Sequence, residues 1–245
     1  MKALGAAWKL LRALAHAVAG LLTIMLRFPR LSPAGRKLEV QRWAGRLLEC
    51  LDVGLELRGR PPGHGPLLLV SNHISWLDIP VLHAARHCRF VSKADVRHWP
   101  LIGRLATGAG TLYIERESRR DALRVVHQMA DALRAGDILA VFPEGTTSDG
   151  VSLLPFHGNL LQAAIAADAP VQPVALSFID AATGLPTLAP CYINDDTLLG
   201  SVWRTLTGPR ITAVVSYGPP QRAQGRDRRA WAGDLREAVG ALRRR

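Results

Sequence analysis

Pro66-Leu67-Leu68-Leu69-Val70-Ser71-Asn72-His73-Ile74-Ser75-Trp76-Leu77-Asp78 joins an apolar run to a polar pair and then to an acid. The run is short and continuous, the pattern of a buried strand. An Asn-His pair at its end would stand outside the carboxyl end of that strand, where open α/β sheets expose their chemistry. Asp78 falls at the start of the next helix. A carboxylate there can reach back to one imidazole nitrogen of His73, fix the tautomer, and leave the other nitrogen as a base. The same residues also fit a strand-end histidine followed by a helix-capping aspartate. This fragment alone leaves both readings open.

Outward from it, strands and helices alternate. Apolar positions Leu38, Trp43, Leu47, Leu48 and Leu51 predict an amphipathic helix over 35–51, and Val53, Leu55 and Leu57 alternate as in a half-buried strand. The Gly- and Pro-rich turn 59–65 leads into the opening strand. Beyond Asp78 the pattern predicts a helix over 78–87 and strands over 89–92 and 111–114. Ser118, with Asp121 three residues on, reads as a capping box opening a helix that Gly136 ends. A buried strand, 137–142, runs into Pro143-Glu144-Gly145-Thr146. A helix over 159–167, a strand over 171–178, a loop over 181–196, a short helix over 198–206, a strand over 211–217 and a basic helix over 227–243 follow. This alternation predicts an α/β fold, a mixed, mostly parallel sheet covered by helices on both faces. The simplest division is an N-terminal helical membrane-anchoring segment over 1–52 and one domain over 53–245.

With 245 residues the chain can bury a large core, and 48% hydrophobic content excludes a disordered or multi-span membrane protein. A net charge of +11 favours anionic partners. Cys50, Cys88 and Cys191 are scattered with no pairing pattern, as in reduced thiols facing the cytosol. Ala13 to Leu26 lacks Lys, Arg, Asp and Glu, but as a helix it is roughly 21 Å long against a hydrocarbon core of roughly 30 Å. Extending it back to Ala3 takes in Lys9 and Arg12, which would have to snorkel. A helix lying in the interface, a true span and a core helix all remain open, the first favoured.

Familiar catalytic signatures are absent: no G-x-S-x-G elbow, no phosphate-binding Walker loop and no H-E-x-x-H. Gly108-Ala109-Gly110 precedes a strand, the wrong context for a dinucleotide loop. His83 and His87 with adjacent Cys88 lack a further ligand, so no metal is expected and the pair reads as an exposed helix face. His64 reads as loop surface, and His98 and His157, beside the candidate site segments, read as structural or peripheral. The arginines from Arg226 to Arg245 come without a nucleic-acid-binding motif, so a solvated or lipid-facing helix is expected and no nucleic acid.

Four segments in order, Asn72-His73-x4-Asp78, Gly110-x3-Ile114-x-Arg116, Phe142-Pro143-Glu144-Gly145-Thr146 and Val171-x-Pro173-Val174, resemble the signature blocks of the glycerolipid acyltransferases. The pattern is nearest to the bacterial 1-acylglycerol-3-phosphate type, and the resemblance covers about residues 66–180. It implies acyl transfer from a thioester, acyl-CoA or acyl-carrier protein as co-substrate with no other cofactor, to a lysolipid hydroxyl. His73 would be the base and Asp78 its orienting acid. The resemblance also places Asn72, Gly110, Arg116, Glu144, Gly145 and Thr146 on the acceptor side, and Pro173 against the acyl chain or in local structure. It implies work at the cytoplasmic face of the cell inner membrane, with the membrane surface and an acyl-carrier protein as candidate partners.

One position departs from the pattern. Where the family usually carries arginine after Phe-Pro-Glu-Gly-Thr, this chain has Thr147, followed by Ser148-Asp149-Gly150. A cationic contact to an acceptor phosphate is thereby missing, and the run resembles the branch that acylates lyso-ornithine lipid. The expected acceptor is 1-acylglycerol-3-phosphate. Lyso-ornithine lipid, or a silent lipid-binding protein, are the alternatives.

Overall fold

The computed structural model describes residues 2–115, 118–193 and 195–244. Its frame is a seven-stranded sheet in the order β1-β7-β6-β2-β5-β3-β4. The strands are β1 (Val53–Arg58), β2 (Leu67–Ser71), β3 (Arg89–Lys93), β4 (Leu112–Ile114), β5 (Ile138–Val141), β6 (Val171–Asp180) and β7 (Ile211–Tyr217). β6, β2, β5, β3 and β4 run parallel, whereas β7 lies antiparallel on β6 and β1 follows β7. The mixed, mostly parallel sheet is therefore present.

Alternation along the central strands divides the core into two layers. Leu67 and Leu69 of β2, with Ile138 and Ala140 of β5, face a layer that includes α2 (Pro33–Leu51), α3 (Asp78–Ala85) and α7 (Leu198–Thr207). Leu68, Val70, Leu139 and Val141 face the other layer, built by α5 (Arg119–Arg134), α6 (Leu161–Ala166) and α8 (Arg228–Arg243). Both faces of β2 are thus buried, which is why its sequence is continuously apolar. Each such leucine contributes roughly 1.5–3 kcal/mol relative to exposure.

α1 (Lys2–Leu26) is one uninterrupted helix. Lys9 does not snorkel: its Nζ donates to Asp52 at 2.9 Å. His16 stacks on Trp43 at 5.2 Å and the two exchange ring-to-backbone hydrogen bonds. Gly20 permits that approach, since a Cβ there would lie 2.4 Å from Trp43 Nε1. Lys9 and His16 therefore face α2 and its end, Arg12 is exposed, and Leu4, Trp8, Leu11, Val18, Leu22 and Met25 point outward at helical spacing. α2 starts where Ser32 Oγ accepts from Gly35 N at 3.1 Å, with Pro33 in the first turn.

The segment 94–108 forms a 3-10 turn and then α4 (Ile102–Gly108). One expectation changes here. His83 is buried, not exposed, packed edge-on to Phe90, with its ring 5.4 Å from that of His87. Burial pulls the pKa of His83 down to about 3 and that of His87 down to about 4, so both are neutral side chains of the α3 core edge. Among the described residues no His/Cys/Asp/Glu group could hold a metal.

Candidate active site

β2 and β5 are neighbours, and their carboxyl ends send the chain to opposite layers, through α3 in one case and α6 in the other. A crevice opens at such a switch. His73 stands there, two residues past β2, its side chain 19% exposed. Its Nδ1 lies 2.7 Å from Asp78 Oδ2. The same oxygen accepts from Ile74 N at 2.7 Å and Ser75 N at 2.9 Å. Asp78 is fully buried in the first turn of α3, where the helix N-terminus favours a negative charge. With Nδ1–H directed at Asp78, Nε2 carries the lone pair, and among the described residues it makes no hydrogen bond.

The imidazole lies flat on Phe142, ring centroids 4.0 Å apart and planes 7° from parallel. Phe142 in turn stacks on Phe90 at 5.7 Å. This apolar floor fixes the ring plane and limits water on one side. Sequence reading missed Phe142 as a site residue, although it opens the third block; what hid it is that strand-end aromatics are ordinary core.

Glu144 performs a task that its block did not announce. Its Oε2 accepts from His73 N at 2.9 Å and its Oε1 from Leu154 N at 3.1 Å. Burial raises its pKa above the usual carboxylate range, against those two backbone donors. From the other side, Ser148 N and Oγ donate to His73 O at 2.8 and 3.2 Å. The His73 peptide is thus gripped at both its N–H and its C=O by the 143–157 loop, whose base closes with His157 N on Pro143 O at 2.8 Å. Gly145 allows the loop to turn: its φ is +75°, and its N–H reaches Phe142 O at 3.1 Å. Thr146 is exposed at the tip. The Thr147 hydroxyl donates to Tyr192 O, and Tyr192 N donates to Ile74 O, which stitches the loop to the 181–196 segment.

Glu144→Gln leaves one acceptor and sets an amide NH₂ against the second backbone N–H. The expected cost is roughly 1–3 kcal/mol, read as a lower urea midpoint. An unchanged midpoint would mean that the two amides do not depend on Glu144.

Several expected acceptor residues have other places. Asn72 is fully buried, its Nδ2 donating to Leu176 O at 3.0 Å and its Oδ1 accepting from Leu176 N at 2.8 Å. Its carboxamide extends the β2–β6 ladder where the backbone turns away, which gives this buried side chain a place in the sheet. Gly110 precedes β4 at the amino ends of the strands, the end of the sheet opposite His73. Its φ of +87° needs glycine, and its carbonyl accepts from Arg89 Nε at 2.8 Å. Pro173 lies within β6 opposite Val70, buried, and its carbonyl accepts from Gly218 N at 2.9 Å. It sits one residue before the β6–β7 ladder begins, where a missing N–H breaks no pairing. Arg116 lies outside the described residues.

Beside the loop is a cavity of about 640 Å³ lined by Asp149, Leu188, Cys191, Ile193, Asp196 and Arg204 among others. Arg204 clasps Asp196 through two bonds of 3.1 and 2.9 Å and holds its carboxyl below the usual range. Burial pushes the Cys191 thiol up to about 11, so it is not a thiolate nucleophile.

Comparison with known proteins gives the same picture. The family model described as Acyltransferase matches residues 54–177. A lyso-ornithine lipid O-acyltransferase of Pseudomonas aeruginosa is 42% identical over 80% of this chain and 75% of its own length. A 1-acyl-sn-glycerol-3-phosphate acyltransferase of Neisseria meningitidis is 36% identical over 86% of this chain and 82% of its own. The crystal structure of a 1-acyl-sn-glycerophosphate acyltransferase from Thermotoga maritima shares the fold, with a TM-score of 0.67 at 19% identity, covering 99% of this chain and 96% of that one. With a histidine held by a buried aspartate at the strand ends, and with family and fold in agreement, the chain belongs to the acyltransferase family.

Proposed function

We propose that the protein transfers a fatty acyl group from a thioester, acyl-CoA or acyl-carrier protein, to the free hydroxyl of a lysolipid at a membrane surface. One observation carries the reading: His73 has Nδ1 fixed by Asp78 at 2.7 Å and Nε2 unengaged among the described residues. Nε2 takes the hydroxyl proton as the oxygen attacks the thioester carbonyl. The tetrahedral intermediate collapses, the C–S bond breaks, and the imidazolium returns the proton to the leaving thiolate. Asp78 holds the ring and stabilises the imidazolium between those steps. A thioester is already activated, so the reaction needs no protein nucleophile.

The acceptor we favour is of the lyso-ornithine type, whose headgroup carries an ammonium and a carboxylate and no phosphate. Thr147 brings no cation, Asp149 adjoins the Ser148 that holds His73, and the neighbouring cavity sets, among the described residues, Asp149, Asp195 and Asp196 against Arg204. Such a lining suits an ammonium and repels a phosphate dianion. The Pseudomonas relative supports it. A second reading, 1-acylglycerol-3-phosphate, is supported by the Neisseria relative and by the net charge of +11. The test offers the purified chain palmitoyl-CoA or palmitoyl-acyl-carrier protein with both lysolipids and identifies products by mass spectrometry. Preference for lyso-ornithine lipid, reduced about tenfold by Asp149→Asn, is expected. Product from lysophosphatidate alone would decide for the second reading, and no acylated product from either would leave a silent lipid-binding protein.

The outward stripe of α1 fits the interface of an anionic bilayer, with the helix lying flat because Lys9 and His16 are committed to α2 and its end while the exposed Arg12 can meet the headgroups. The cytoplasmic face of the inner membrane is the proposed location. Leu11→Glu with Val18→Glu is expected to weaken binding to phosphatidylglycerol-containing vesicles more than about tenfold, since two apolar contacts of roughly 1.5–3 kcal/mol are lost. Unaltered sedimentation with vesicles would place the contact elsewhere.

A further inference from the structure

The basic C-terminal helix is not a solvated face. α8 buries Trp231, Ala232, Leu235 and Val239 against the sheet, and two of its arginines are spent on a single target. Arg236 forks onto consecutive carbonyls, Nε to Leu154 O at 3.0 Å and Nη2 to Leu153 O at 2.6 Å. Arg243, two helical turns on and on the same side, donates from Nη2 to Val151 O at 3.3 Å. Between them Gly240 faces Leu153: a Cβ there would meet Leu153 Cδ1 at an ordinary 3.5 Å. Arg243 is half-buried, its Nε without a partner among the described residues, and burial lowers its guanidinium pKa against the pull of Glu144 and Asp149. The limb that these residues grip, 151–154, is the one whose Leu154 N–H is held by Glu144 Oε1. The other oxygen of Glu144 holds the His73 N–H.

We propose that Arg236 and Arg243 are positioning residues for His73, acting from α8 through the 151–154 limb and Glu144. Each link is a hydrogen bond to backbone, so the relay carries no sequence signature apart from the arginines themselves. It rests on the reading of His73 as the base. Its mechanical part, ordering of the His73 turn by α8, is measurable without turnover.

The experiment compares the full chain with Arg236→Ala, Arg243→Ala and Arg236→Lys by hydrogen–deuterium exchange and by steady-state kinetics with palmitoyl-CoA and the preferred lysolipid. The alanine variants are expected to exchange faster in peptides spanning 142–157 and 71–78, with β6 and β7 unchanged. Their kcat falls about 10–100-fold at near-constant KM, as for a misplaced base. Lysine at 236, a point donor for one carbonyl instead of a fork, recovers part of both effects. Should an alanine variant fail to fold, Arg236→Lys against the parent carries the same comparison. Unchanged exchange over 71–78, an unchanged kcat, or faster exchange spread evenly through the sheet would overturn the proposal. If the parent chain turns over no lysolipid while exchange at 71–78 still answers to Arg236, the clamp stands and the assigned reaction fails.

Discussion

Replacing His73 with alanine is expected to lower turnover about 10²–10⁴-fold, the usual contribution of a positioned general base. The fold should survive. The contacts that hold the turn are made by the His73 backbone, to Glu144 and Ser148, and an alanine keeps them. What is lost is the ring, its bond to Asp78 and its stack on Phe142, the stack worth roughly 0.5–1.5 kcal/mol. The measurement is thiol release from an acyl thioester in the presence of lysolipid, alongside thermal unfolding of parent and variant. Near-normal turnover in a folded His73→Ala protein would remove the base from this site and with it the proposed reaction.

Asp78 separates geometry from charge. Its Oδ2 accepts three hydrogen bonds, whereas its buried Oδ1 has no partner among the described residues. In Asp78→Asn the amide oxygen can keep all three donors, with the NH₂ in the place of Oδ1. The negative charge beside the imidazolium is lost, and kcat is expected to fall about 10²–10⁴-fold with only a modest change in stability. Asp78→Ala also strips the Ile74 and Ser75 amides of their acceptor in a dry site, costing roughly 1–3 kcal/mol for each orphaned group. The pair of variants should therefore share a kinetic defect and differ in urea midpoint. Full activity in Asp78→Asn would reduce Asp78 to a turn-holding residue, and equal midpoints for the two variants would mean that its backbone bonds carry no weight.

The site residues differ in how far they could be read before folding. His73 and Asp78 are five positions apart, so a strand end and the helix after it suffice to bring them together. Glu144 was visible as part of a motif, but its partners, His73 N and Leu154 N, were not, because the motif does not say which backbone its carboxylate will meet. Gly110 and Pro173 meet conformational demands that spacing does not reveal, a positive φ and a place just short of a ladder. α1 was readable as apolar, yet which of its sides met the protein was not, because Lys9 and His16 turn inward only in the presence of Asp52 and Trp43.

Sequence by itself determined the buried central strand, the parallel α/β alternation and the His73–Asp78 pair, all of which follow from local periodicity and short-range geometry. The tertiary structure alone decided what surrounds that pair. Phe142 as its floor, the Glu144 and Ser148 grip and the arginines of α8 join segments about 70 or more residues apart. Contacts at that separation depend on strand order and helix placement, which fix which loops meet at the carboxyl end of β2.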